Sequence, residues 1–411
     1  MHIKQFLRSG SPGTLFSAFF YFDISFMIWV MLGPLGNFIG EEFHLSASQK
    51  GLMTAMPVLS GSLLRLVLGP LADRIGGRKT ALIGLSLSFI PMLLGAFAAQ
   101  SYEMLLVIGL FLGIAGASFA VALPMASRWY PPEQQGLVLG IAGAGNSGTV
   151  LASLFAPQLA QLLGGWRPVF IVTMIPLAIA WLVVAFMAKD APGKVTLKTF
   201  GEYLAVAKQP DALWLSLMYS VTFGGFVGLA TFLPIFFHDQ YGLDKVSAGS
   251  FAALCVFAGS FIRPVGGFLA DRFGGIRILM GLFLLIGGLA LAIGMLPPLG
   301  VETALLFLLM TSLGSGNGSV FQIVPQRFPK EIGVVTGIVG AVGGLGGFLL
   351  PNLLGSLKDL TGSYGSGFLV YTVAALICMF LVATLRGEWQ RTWAGEGGRA
   401  RVSTSIETAA D

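Results

Sequence analysis

Apolar runs long enough to cross a bilayer, about 20 residues each, follow one another along almost the whole chain, and polar residues collect in the short connections between them. The pattern predicts twelve membrane spans, at residues 14–38, 49–73, 79–99, 102–128, 135–163, 166–187, 212–238, 245–271, 276–297, 300–327, 332–357 and 364–386. One connection is longer and more hydrophilic than the rest, from Lys189 to Asp211. It divides the chain into a six-helix half at 1–188 and another at 212–388, with 189–211 as a linker. The polar tail, 389–411, is expected to be disordered. The fold class is thus an all-α polytopic membrane protein.

The two halves share a sequence device. SGSLLRLVLGPLADRIGGRK (Ser60–Lys79) returns as GSFIRPVGGFLADRFGGIR (Gly259–Arg277). Arg65 matches Arg263, Gly69 Gly267, Asp73 Asp271 and Arg74 Arg272, always 198 residues apart. Constant spacing marks an internal duplication and makes the halves pseudo-symmetric. From Arg65 to Asp73 is about 12 Å of helix rise, and half the hydrocarbon core is about 15 Å. With Asp73 at the membrane edge, Arg65 sits near mid-membrane, and Arg263 does the same. An arginine there costs at least ~2.5–3.5 kcal/mol. One could reach back to the surface or belong to a structural ion pair; two at matched depth point to function.

Composition then excludes other classes. Only 10% of residues are charged and the mean hydropathy is +0.83, whereas soluble domains carry about 25% charged residues. The net charge of +5 is not a nucleic-acid footprint, because of where the charges lie. Of 24 Lys and Arg, 18 fall in the even-numbered connections and the termini, four (Lys50, Arg167, Lys245, Lys358) in the odd ones, and two within the membrane. By the positive-inside rule both termini are cytoplasmic. No cleavable signal sequence is read at the start. Cys255 and Cys378 lie in apolar spans, as core residues rather than a disulfide.

Catalytic patterns are lacking. His2, His44 and His238 fall in connections or the terminus, and no HExxH, CxxC or GxxxxGK[ST] pattern occurs, so no metal, cofactor or enzymatic role is expected. Gly143 to Gly148 fits GxGxxG literally but has no strand before it and no acid about 20 residues on. In a membrane helix such glycines mean close helix approach, and Asn146 is the polar exception on that surface. Asn317-Gly-Ser fits a glycosylation acceptor, which inside a span carries nothing. Asp23 is the acid placed well inside a span, a candidate for function or for pairing with a neighbouring hydroxyl. Tyr219 and Phe223, four apart, share one helix face, a spacing that also suits plain packing.

GPLADRIGGRK and GGFLADRFGGIR resemble the cytoplasmic signature of the major facilitator superfamily and its second copy. Within it, GIAGAGNSG and GIVGAVGGLGG resemble the two glycine-rich signatures of the nitrate/nitrite porter family. LSGSLLR, SFMIW, GASFAVALPMASRWYPP, YSVTFGGF, GSFIRPVGG and GNGSVFQIVPQRF also look like that family, bacterial assimilatory nitrate transporters most of all. The resemblance implies that Arg65 and Arg263 bind the anion, that Tyr219 and Asn146 hydrogen-bond around it, and that Phe26, Phe119 and Phe223 wall it in. It implies that Asp73, Arg74, Asp271 and Arg272 brace the cytoplasmic gate. The helices carrying Gly140, Gly143, Gly145, Gly148 and Gly337, Gly340, Gly343, Gly344, Gly346, Gly347 would bend and slide as the halves rock. The expected partners are nitrate, nitrite and membrane lipid, with the chain working as a monomer in the bacterial cytoplasmic membrane.

The chemistry of the residues agrees. Nitrate is small, planar and monovalent, and guanidinium offers a planar fork of donors to grip it along two oxygens. Two converging cations with few acids nearby favour closure around an anion and penalise return when empty, which suits nitrate/nitrite exchange. Proton-coupled uptake would need a titratable group, and Asp23 supplies one; the expectation leans to symport. A dicarboxylate carrier and a non-transporting anion sensor are the alternatives.

Overall fold

A computed structural model of the chain describes residues 9–131, 135–192, 200–329 and 331–399, and these contain helices and turns but no strand. Among the described residues, eleven helical stretches, three of them counted across an interruption, are long and apolar enough to cross a membrane. The expected first span is instead divided: α1 (Pro12–Trp29) and α2 (Gly36–Glu42) flank a turn through Gly33-Pro34. Proline has no amide hydrogen to continue the helix. A Cβ on Gly33 would stand 2.1 Å from the Thr231 carbonyl, so the turn lies directly on the other half.

The second repeat unit is treated differently in its two copies. α3 (Ala47–Ile75) runs unbroken through Arg65, and α4 (Gly77–Phe97) follows it. Its counterpart stops at Ile262 and restarts, as α12 (Lys245–Phe261) and α13 (Arg263–Phe273), because Pro264 lacks the donor that would bond back one turn. Between these lie α5 (Tyr102–Gly116), α6 (Phe119–Ser127), α7 (Gln135–Gly143), α8 (Gly148–Leu162), α9 (Arg167–Met187), α10 (Phe200–Ala207) and α11 (Pro210–Tyr241). α14 (Gly275–Gly294), α15 (Leu299–Arg327), α16 (Ile332–Thr361) and α17 (Gly365–Thr392) complete the second half. Spans 4 and 5 are also interrupted, at Ala117–Ser118 and by a 3-10 turn, Ala144–Ser147, around Asn146.

The linker holds α10, while residues 193–199 lie outside the described residues. Disorder from residue 389 does not hold. α17 continues to Thr392, the buried Trp389 indole donates to Asp211 Oδ1 at 2.8 Å, and Glu396 pairs with Arg277 at 3.3 Å. Residues 400–411 lie outside the described residues.

Polar contacts between the halves concentrate at one end of the bundle. There Lys50 pairs with Asp239 at 2.9 Å, Lys245 pairs with Glu41, and Asn37 Nδ2 donates to the Pro234 carbonyl at 2.9 Å. Asp359 accepts from the Ala47 and Ser48 amides, the first turn of α3, at 3.2 and 2.9 Å. At the opposite end the ion pairs found among the described residues do not cross between the halves: Asp73 with Arg128, Asp211 with Arg327, and Arg277 with Glu396. The bundle is therefore laced shut at the Lys50 end.

Candidate functional site

Arg65 is 1% exposed, and each of its three guanidinium nitrogens meets a carbonyl. Nη1 donates to the Gly340 carbonyl of the other half at 2.8 Å, and Nε and Nη2 both reach the Gly116 carbonyl at 3.4 Å. The break after α5 makes Gly116 available: the Ala120 amide bonds to Ala117 rather than continuing the i to i−4 ladder back to Gly116. Three rings surround the cation, Trp29 at 5.4 Å, Phe119 at 5.2 Å and Phe223 at 5.0 Å. Cation–π attraction and carbonyl dipoles offset part of the cost of burying the charge.

Arg263 approaches from the other half at the first residue of α13. Its Nη2 reaches Tyr219 Oη at 3.4 Å, whereas its buried Nη1 has no partner among the described residues. It lies 5.6 Å from both Phe119 and Phe321. Both guanidiniums thus share the Phe119 ring. Tyr219 and Phe223 stack at 4.9 Å and 2°, and Phe321 stands edge-on to Tyr219 at 5.0 Å and 88°. An unsatisfied, buried cationic donor over an aromatic floor is a site that a planar anion can complete.

Of the residues expected from sequence, Arg65, Arg263, Tyr219, Phe119 and Phe223 come together. Phe26 does not join them: it packs on Phe22 at 4.2 Å and Trp29 at 4.7 Å, and Trp29 takes the place beside Arg65. Residues three apart share a helix face and both rings are buried, but Trp29 is the one that reaches Arg65 while Phe26 packs behind it. Asn146 is 1% exposed, and its Oδ1 has no partner among the described residues. Trp29 and Phe321, and the Gly116 carbonyl, were missed, although both aromatics lie in motifs already singled out.

Asp23, 6% exposed, accepts from the Ser147 hydroxyl at 2.5 Å. It is not the sole acid inside a span. Glu302, on α15, is fully buried and neither carboxyl oxygen has a partner among the described residues. It lies two residues into the expected span 10, at the edge of the apolar run.

The glycine runs serve two ends. A Cβ on Gly148 would fall 1.8 Å from the Asp23 carbonyl, so this glycine permits backbone approach, and one on Gly344 would fall 1.9 Å from Ser62 Oγ, so that one makes room for a side chain of the other half. Gly145 faces Phe22, Gly343 Tyr219, Gly346 Ser220 and Gly347 Val58 in similarly close contact. Gly140 and Gly340 have only contacts near 4 Å, the latter to Arg65 and Phe119, and Gly143 and Gly337 face open space. Of the turn residues, Arg74, Asp271 and Arg272 are exposed, and Asp73 pairs within its own half.

Paired halves around a central cationic, aromatic-walled site define a membrane carrier. The chain belongs to the major facilitator superfamily, whose family model matches residues 15–351, and within it to the family of bacterial nitrate/nitrite transporters. It is 37% identical to the nitrite extrusion protein of Bacillus subtilis, over 87% of this chain and 90% of that one. It is 35% identical to the probable nitrate/nitrite transporter NarK2 of Mycobacterium tuberculosis, over 90% and 95% of the two chains. Identity to the probable nitrate/nitrite antiporter NarK1 of Thermus thermophilus is also 35%, over 89% of each. The fold is shared with a bacterial homologue of the lysosomal transporter Spinster (TM-score 0.69, 20% identity, 92% and 96% coverage). It is shared too with the human organic anion transporter MFSD10 (TM-score 0.71, 17% identity, 90% and 99%).

Proposed function

We propose that this chain carries nitrate and nitrite across the cytoplasmic membrane by rocking its two halves about the site between Arg65 and Arg263. The observation that carries the reading is the convergence of two guanidiniums, one from each half, on the shared Phe119 ring, with Arg263 Nη1 left unpartnered. A flat monovalent anion fits edge-on among these rings and takes parallel hydrogen bonds from planar donors. The names of the relatives support the same substrates.

Both termini face the cytoplasm in this reading, from the distribution of Lys and Arg, so the Lys50 end is extracytoplasmic and the state described is closed to the outside. Asp73, Arg74, Asp271 and Arg272 then stand at the cytoplasmic end, ready to brace it in the opposite state. A single chain contains the whole site and works as a monomer. Transport runs as proton-coupled nitrate uptake, with the Asp23–Ser147 pair as the group through which the proton couples, or as nitrate/nitrite exchange, which repulsion between the two cations of an empty site favours.

The test is nitrate flux in proteoliposomes under an imposed proton gradient, compared with flux against internal nitrite, with oxalate and sulfate as competitors. Nitrate transport resistant to both competitors is expected. Competition by oxalate at equal concentration would point to a dicarboxylate carrier, and nitrate binding without flux to a sensor. Asp23→Asn is expected to abolish proton-driven uptake and spare exchange; equal loss of both modes would make Asp23 structural.

A further inference from the structure

We propose that Asn317 is a second carboxamide of the anion site, supplied by the C-terminal half, and that it reads the nitrate oxygen the two guanidiniums leave free. The proposal rests on the reading of the site as one for nitrate and nitrite.

Asn317 is 1% exposed on α15 and its Oδ1 has no hydrogen-bond partner among the described residues. Burying an amide oxygen without a partner forfeits its hydration with nothing in return, and a group left so needs an explanation beyond packing. Its neighbours fix where it lies around the helix. On one side, a Cβ at Gly316 would stand 2.6 Å from Thr222 Cγ2, so that side faces α11. On the other, a Cβ at Gly318 would stand 2.2 Å from the Arg263 carbonyl, so that side faces α13. At 100° per residue, Asn317 occupies the arc between these two contacts. Phe321, one turn further along that arc, touches Tyr219 at 5.0 Å and lies 5.6 Å from Arg263. The orphaned amide is therefore one helical turn from the aromatic floor of the site, on the same face.

A carboxamide suits the task. Turning it by half a revolution exchanges its oxygen for an NH₂ group, so the orphaned position can offer two donors to an anion without adding charge. Asn146 from the N-terminal half presents the same chemistry, buried and unpartnered at Oδ1. Thus each half brings one guanidinium and one carboxamide. Arg263, with its unpartnered Nη1, and Arg65 can hold one O–N–O edge of the anion between them; the third oxygen, present in nitrate and absent in nitrite, is the feature a neutral donor can recognise. Asn317 is accordingly a specificity residue, affecting nitrate more than nitrite.

The experiment measures calorimetric binding of nitrate and of nitrite to the purified full chain, wild type beside Asn317→Leu and Asn317→Asp. Asn317→Leu is expected to weaken nitrate about three- to tenfold, the loss of one neutral hydrogen bond, and to leave nitrite within about twofold. Asn317→Asp keeps the shape but opposes an anion with a like charge, and is expected to weaken both. A folded Asn317→Leu with an unchanged nitrate-to-nitrite affinity ratio overturns the proposal. If that variant is unstable, Asn317→Thr, which keeps a small polar group without the carboxamide, is read by the same ratio. Wild-type protein that binds neither anion would instead overturn the proposed function, so the two failures are distinct.

Discussion

Arg65 and Arg263 descend from one repeated device, yet the structure holds them differently. Arg65 sits on an unbroken helix, bonded to carbonyls of both halves and ringed by three aromatics. Arg263 begins a helix restarted by Pro264, holds one long bond to Tyr219, and keeps a buried donor unpartnered. Duplication supplied two equal charges; divergence of their surroundings made one a tie between the halves and the other an open hand. An anion entering the site completes Arg263 directly, but must compete with Gly340 for Arg65.

If that contrast is right, the arginines fail in different ways. The largest effect is expected from Arg65→Lys. Lysine has no planar fork and cannot reach Gly116 and Gly340 together, so nitrate binding falls at least tenfold and the midpoint of thermal unfolding falls with it. Calorimetry and thermal melts on the same preparation check both, and a variant that loses binding with full stability would break the claim that Arg65 ties the halves.

Asn146→Ala sharpens the comparison between the halves. It removes one neutral hydrogen bond, worth about 0.5–1.5 kcal/mol, so nitrate affinity is expected to fall about three- to tenfold in a binding assay with folding intact. Unchanged affinity would reduce Asn146 to an interhelical contact. The smallest effect is expected from Phe26→Leu, within about twofold in nitrate affinity, because Phe26 meets Phe22 and Trp29 rather than either cation. Phe119→Leu, which removes the ring shared by both arginines, is the control measured alongside it.

Much of this arrangement could be read from the chain. Span-length apolar runs and a repeat at fixed spacing gave the two halves, because membrane thickness and backbone hydrogen bonding leave few alternatives. An arginine at mid-membrane is costly enough to announce itself, as Arg65 and Arg263 do. Less visible were features that depend on which side of a helix turns inward. Phe26 and Trp29 are three residues apart, and periodicity alone does not choose between them. The Gly116 carbonyl becomes an acceptor only through the break at Ala117–Ser118, which no proline marks. Glu302, at the edge of its apolar run, looked like a boundary residue until packing buried it. The ordered segment after residue 389 depends on Asp211, 178 residues earlier, which composition cannot see.

The central claim is that planar guanidinium donors, rather than positive charge alone, hold the anion. Calorimetric nitrate binding to Arg263→Lys tests it most directly, since Arg263 has little structural bonding to lose. Loss of one charge-assisted hydrogen bond costs about 1.5–3 kcal/mol, so affinity is expected to fall roughly ten- to a hundredfold with thermal stability unchanged. Nitrate binding near the wild-type affinity in that lysine variant would contradict the account.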